Sequence, residues 1–216
     1  MAIITISRQY GSNGEKIAEK LARDLNYRYF DKFLMTEIAI SSGLSEAEVI
    51  DFNEDNYKVK GFFEQLFRRR EFVGEITVKE KDNVTGITSI ITKTFDEESG
   101  LRFVQAVIKK LKDWGDVVIL GRGAQVLLKD NPKTLHIRII APLEYRVKNV
   151  MKERNLTREE SLRLIIEKDK SAEEYLKRFY NVDWNNPELY HLILNTGLLS
   201  WEQGVEVIKN ALRAII

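Results

Sequence analysis

No cysteine occurs anywhere in the chain, which excludes disulfides, thiolate metal sites and a cysteine nucleophile. Histidine is nearly as scarce, with two residues, His136 and His191. Both fall in apolar stretches that read as strands, and neither has a carboxylate or a second histidine at ligand spacing. They are expected to be core or network residues, with no protein-held metal site. No apolar run reaches the length of a membrane span, and no leader pattern precedes Ile3, so a cytoplasmic protein without a membrane partner is expected. Charge of one sign is missing too: 34 Lys and Arg face 33 Asp and Glu, a formal net charge of +1. That is no electrostatic footprint for nucleic acid, and the basic run Arg68-Arg69-Arg70 reads better as the coat of a helix.

What is present is enough apolar material, 44% of 216 residues, for one α/β domain with an insertion or two. The chain is organised around its first stretch. Ala2-Ile3-Ile4-Thr5-Ile6 is a β-branched run of the kind that makes a buried strand. It ends in Ser7-Arg8-Gln9-Tyr10-Gly11-Ser12-Asn13-Gly14-Glu15-Lys16, a loop with two glycines. Ile17, Leu21 and Leu25 then share one helical face. Strand, glycine loop and helix start form an arrangement that holds phosphate, because unpaired N–H groups and the helix dipole both face an anion.

The nucleotide-binding pattern G-x-x-x-x-G-K-[ST] is not met as written. With Gly14 as the second glycine, Glu15 takes the lysine position and Lys16 the hydroxyl position. With the helix register shifted by one, Gly14 itself takes the lysine position. Neither register supplies a Ser or Thr for Mg²⁺. A degenerate phosphate loop charged by Lys16, Arg8 or both is one reading, and an ordinary strand-to-helix turn is the other.

Strands are further predicted at Tyr27–Phe30, Val117–Leu120, Leu135–Ile140 and Tyr190–Leu194, with helices between them. Pro142 is expected in the first turn of a helix that runs to Arg154. Thr157-Arg158-Glu159-Glu160 and Ser200–Gln203 read as capping boxes. Two helices are expected between Thr157 and Tyr180, separated near Glu167–Ser171. A helix is expected from Asp31, a capping box at Ser45–Glu48, and a helix over about 54–70. The alternation over 75–92 reads as a hairpin around the turn-rich residues 82–86. Strands alternating with helices argue a mainly parallel sheet.

Ligands of such sheets sit beyond the carboxyl ends of the strands. Three predicted strand ends carry suitable residues: Ser7–Lys16, Asp31 and Gly121-Arg122-Gly123. Each alone has a plainer explanation, such as a helix N-cap for Asp31 or a surface guanidinium for Arg122. Their joint placement suits phosphoryl transfer, where positioning and charge neutralisation dominate. The basic block from Arg146 to Arg178 is interleaved with acids. It is either a solvated helical hairpin or a lid that brings cations over a nucleotide.

Ile4–Gly14, Tyr29-Phe30-Asp31-Lys32, Val118–Ala124 and Leu194-Asn195-Thr196 together resemble the cytidylate kinase-like family, a branch of the P-loop nucleoside monophosphate kinases. The resemblance implies a three-layer α/β/α fold with a five-stranded mainly parallel sheet and the first strand central. It implies a core of 1–31, 101–150 and 185–216, an acceptor-binding insertion at about 32–100 and a helical lid at about 151–184. It further implies ATP with Mg²⁺ as donor, and a nucleoside monophosphate such as CMP or dCMP as acceptor. Arg8, Gly11, Ser12, Asn13, Gly14, Glu15 and Lys16 would then hold the donor phosphates, and Asp31 and Arg122 the acceptor. The cations Lys16, Arg122, Lys168 and Lys170 would serve the transfer, and Arg154, Lys168, Asp169, Lys170 and Arg178 would line the lid. Small-molecule nucleotides are the implied partners, and a homodimer is compatible with the reading. The chain departs from the family pattern at the loop lysine and hydroxyl, at Gly123 where an Asp is usual, and at Lys168, Lys170 and Ala172 in a lid usually rich in arginine. The alternative is a nucleotide-binding regulatory module that kept the fold and lost the metal ligand.

Overall fold

The computed structural model describes residues 1–30, 74–81, 88–95, 105, 107–109, 111, 112 and 114–215, with backbone alone for 74–81 and 88–95. Asp31, the helices expected between 31 and 70, the capping box at Ser45 and the run Arg68–Arg70 lie outside the described residues. The chain divides into two units, Met1–Phe30 with Ile108–Ile216, and Asp31–Val107.

The first unit is built on a five-stranded sheet. Strand β1 (Ile3–Arg8) leads through a loop to helix α1 (Gly14–Leu25) and edge strand β2 (Arg28–Phe30). In the second unit β3 (Gly74–Lys81) and β4 (Thr88–Phe95) pair antiparallel, from Gly74 opposite Phe95 to Lys81 opposite Thr88, as the alternation predicts. The first unit resumes with β5 (Val117–Leu120), the short helix α2 (Ala124–Leu127) and β6 (Thr134–Ile140). Helices α3 (Leu143–Arg154) and α4 (Arg158–Tyr180), strand β7 (Leu192–Asn195) and helix α5 (Trp201–Arg213) complete it. The strand order is β2-β5-β1-β6-β7, and every pairing is parallel.

Period two along the strands sorts their side chains onto two faces. Ile4 and Ile6 of β1 register with Leu135 and Ile137 of β6. Their face packs against Ile17, Leu21, Val205 and Ile208 of α1 and α5 as the main core. On the other face Thr5 and Ser7 register with His136 and Arg138, which are buried but polar. Arg138 donates to the Trp184 carbonyl at 2.6 Å and to Asn185 Oδ1 at 2.8 Å, and lies 4.1 Å from the Trp184 ring centroid. Trp184 Nε1 in turn donates to Ser7 Oγ at 2.7 Å. Hydrogen bonds satisfy most of this polar layer, as burial demands.

Two expectations are corrected. Residues 158–180 form one helix of 23 residues, with no break at Glu167–Ser171. That segment holds no Gly or Pro, and i,i+4 pairs such as Lys170–Glu174 support it. His191 precedes β7 instead of lying in a strand, because a 3-10 turn at Pro187–Leu189 delays the strand. Both capping boxes form, Thr157 with Glu160 and Ser200 with Gln203.

Candidate active site

The loop between β1 and α1 is held from outside by its carbonyls. Asn149 Nδ2 donates to the Gly11 carbonyl at 2.9 Å and Thr196 Oγ1 to the Ser12 carbonyl at 2.8 Å. The Ala141 N–H donates to Gln9 Oε1 at 3.0 Å. Gly11 has φ +80°, and a Cβ there would stand 2.9 Å from both the Arg146 carbonyl and Val150 Cγ2 of α3. Only glycine lets α3 come this close with that backbone.

Helix α4 also reaches the loop. The Tyr10 N–H donates to Asp169 Oδ1 at 2.8 Å. Arg146 Nη1 donates to Asp169 Oδ2 at 2.5 Å and to the Tyr10 carbonyl at 3.3 Å. Asp169, expected in the lid, is thus a loop tether, and it is half-buried.

At the helix start Asn13 is left-handed at φ 61° and caps nothing with its side chain. Its Nδ2 donates instead to the Tyr145 hydroxyl at 3.0 Å. The first-turn amides therefore have no side-chain cap, and Asn13 Oδ1 is a buried acceptor with no partner among the described residues. The uncapped amides suit an anion, while Asn13 Oδ1 calls for a hydrogen-bond donor.

Arg8 closes β1 and lies across the loop. Its Nη2 donates to Glu15 Oε1 at 3.2 Å, and its Nη1 lies 3.1 Å from where a Cβ on Gly121 would be. That places the guanidinium between the start of α1 and the end of β5. Arg122 follows in a run of three left-handed residues, Gly121, Arg122 and Gly123, at φ 72°, 64° and 69°. A left-handed arginine is uncommon, and such backbone tends to persist where the surroundings over-determine it. Here Gly123 lies against the Tyr180 ring, and the Tyr175 hydroxyl is 3.5 Å from the Arg122 carbonyl. Burial and the neighbouring Arg8 cation push the Arg122 pKa down to about 10, against an opposing effect of Tyr175. Burial, then Tyr180, holds the Tyr175 phenol above its usual range, so it stays protonated. The Arg8 guanidinium near Gly121, with the Arg122 charge felt from it, makes this strand end electropositive, which suits a phosphate.

Lys16 pairs with Glu153 of α3 and is half-exposed. On α4 Lys170 is exposed and pairs with Glu174 at 3.7 Å, Lys168 is half-buried, and Arg178 lies over the Phe179 ring. Arg154 is exposed near the end of α3. The structure therefore brings Arg8, the Gly11–Glu15 loop, Asp169 and Arg122 together. Arg146, Asn149 and Thr196 complete the setting. Nothing local in the sequence marks Arg146 or Asn149 among the many polar residues of α3, whereas Asn195-Thr196 directly after an apolar strand was a usable signal.

Residues 3–198 match the Cytidylate kinase-like family. A Cytidylate kinase of Methanocaldococcus jannaschii is 31% identical over 122 residues, covering 56% of this chain and 66% of that protein. The chain thus spans less than two thirds of that relative's length. Two solved structures share the fold. An uncharacterized protein from Eubacterium ventriosum aligns with TM-score 0.67 and 19% identity over 99% of each chain. A gluconokinase from Sinorhizobium meliloti aligns with TM-score 0.52 and 8% identity over 99% of this chain and 92% of the other. The parallel sheet with flanking helices is that of the P-loop kinases. With a match that runs from β1 to the turn after β7, the chain belongs to the cytidylate kinase-like family.

Proposed function

We propose that the chain is an ATP-dependent phosphotransferase whose acceptor is a nucleoside monophosphate, CMP or dCMP being the best candidates. The observation that carries this is the convergence of Arg8, the uncapped start of α1 and Arg122 at the carboxyl ends of the adjacent strands β1 and β5. An acceptor phosphate oxygen attacks the γ-phosphorus of ATP. The bond from that phosphorus to the β,γ-bridging oxygen breaks, and ADP and a nucleoside diphosphate leave. Loop amides hold the donor phosphates, Arg122 orients the acceptor, and Lys168 and Lys170, on either side of the Asp169 tether, are the lid cations of this reading. Asp31 would join the acceptor side.

Mg²⁺ carried by the nucleotide would supply charge neutralisation at the phosphates. Among the described residues no group of three or more His, Cys, Asp or Glu could hold a metal by itself. Glu15 offers one carboxylate beside the loop, the small protein share Mg²⁺ takes when phosphates provide the rest. A cytoplasmic location, where nucleoside phosphates are available, fits this reading.

A second reading, a regulatory module that binds nucleotide without turnover, draws on Glu15 and Gly14, which stand at the start of α1 where the pattern has hydroxyl and lysine. ADP formation from ATP-Mg²⁺ across a panel of nucleoside monophosphates separates the two. Acceptor-dependent ADP release with one pyrimidine monophosphate supports the kinase. ADP binding with no turnover on any acceptor supports the module.

A further inference from the structure

The helix start supports one of the two loop registers. Helix α1 begins at Gly14, and the residue before it, Asn13, holds the left-handed backbone that glycine normally takes. Asn13 therefore occupies the second-glycine position of G-x-x-x-x-G-K-[ST], Gly14 the lysine position and Glu15 the hydroxyl position. Counting back five residues, Arg8 occupies the position of the first glycine. We infer that the loop has exchanged its glycine and its cation, so that Arg8, reaching in from the end of β1, clamps the donor phosphates in place of a lysine on α1. This rests on reading the site as a donor-phosphate site.

Three observations support the exchange. Arg8 is in register with Ile139 and follows Ile4 and Ile6 at period two, so its side chain leaves the sheet on the face that α1 covers. There it passes over Gly14 so closely that a Cβ on Gly14 would stand 2.5 Å from Arg8 Cβ and 2.8 Å from its Cγ. A side chain at 14 and the arginine at 8 compete for one volume, which makes arginine at 8 and glycine at 14 a matched pair. Finally, the guanidinium spans from Glu15 at the helix start to Gly121 at the end of β5, beside Arg122. A planar fork there can grip two phosphate oxygens at once. Lys16, the lysine nearest to the pattern in the chain, has its ammonium engaged by Glu153 on α3.

The exchange is tested by reversing it. ADP and adenosine are titrated calorimetrically into wild type, Arg8→Ala, Lys16→Ala and the double variant Arg8→Gly/Gly14→Lys, with thermal melts to establish folding. Loss of a charge-assisted fork should weaken ADP binding about ten- to a hundred-fold in Arg8→Ala, with adenosine affinity little changed. Lys16→Ala should weaken ADP less than Arg8→Ala does. The double variant should recover binding to within about ten-fold of wild type, since it restores glycine at 8 and lysine at 14. ADP affinity in Arg8→Ala equal to wild type overturns the inference, even if the double variant does not fold. A folded double variant no better than Arg8→Ala also overturns it. Wild type that binds no ADP overturns the functional reading itself, a distinct result.

Discussion

Tyr180, the last residue of α4, lies so close over Gly123 that a Cβ on the glycine would stand 2.5 Å from its Cε2. The glycine also has φ +69°. Gly123→Ala therefore meets both left-handed strain and overpacking, and should cost about 2–4 kcal/mol. Adding Tyr180→Ala should relieve the steric share and leave the strain, so the double variant unfolds at higher urea than Gly123→Ala alone. Equal midpoints for the two would mean that the ring is not what excludes a side chain. The same contact shows why an Asp at this position, usual in the family pattern, has no room here.

The tether from α4 to the loop makes a second expectation. Arg146 is buried and Asp169 half-buried, with side-chain exposures of 9% and 20%. Asp169→Ala strands a buried guanidinium and frees the Tyr10 amide, and should cost about 3 kcal/mol. Asp169→Asn can keep its one oxygen for the Tyr10 N–H, but turns an NH2 donor toward Arg146 Nη1 and removes the counter-charge, so it too is destabilising while the Tyr10 bond survives. Amide hydrogen exchange at Tyr10 should accelerate in the alanine variant and stay slow in the asparagine variant. Fast exchange in both would show that the charge, not the oxygen, fixes the loop.

His136 predicts a pH dependence with a definite sign. Burial, then the stacked His191, pushes its pKa down from 6.5 to about 4. The unfolded chain binds the proton more readily, so stability rises with pH across this window. The contribution is fully present above about 6.5 and is lost as pH falls to about 4. Its size is on the order of 3 kcal/mol. His136→Asn keeps a polar group near Thr5 Oγ1, now 2.7 Å from His136 Nδ1, and should flatten the slope of unfolding free energy between pH 6.5 and 4.5. An unchanged slope would assign the acid sensitivity to the carboxylates.

The sheet was legible in the sequence because its strands are almost wholly apolar and each ends at a small or polar residue. Val117–Leu120 followed by Gly121 is the clearest example. No break occurs within α4 because the five polar residues 167–171 wind through a full helical turn, with Glu167 and Lys170 outward and Asp169 turned in to Arg146 and the loop. In the sequence the loop charge stays open between Lys16, Arg8 or both. Choosing needs the direction in which a side chain leaves β1 and the residue at which α1 begins, and both depend on pairing with β6, more than 120 residues away. The role of Asp169 was hidden likewise, since its partner is a backbone amide 159 residues distant.

The sheet order has a consequence for synthesis. β1 lies at the centre, and its two neighbours, β5 and β6, begin at Val117 and Thr134. During translation the strand that carries the loop leaves the ribosome with both edges unpaired and waits for more than a hundred residues before either neighbour exists. The loop itself takes its tether from Asp169 and its last carbonyl partner from Thr196. A nascent chain therefore cannot present a finished loop until the end of β7 has emerged, and until then Ile3–Ile6 is an apolar edge open to chaperones or to another chain.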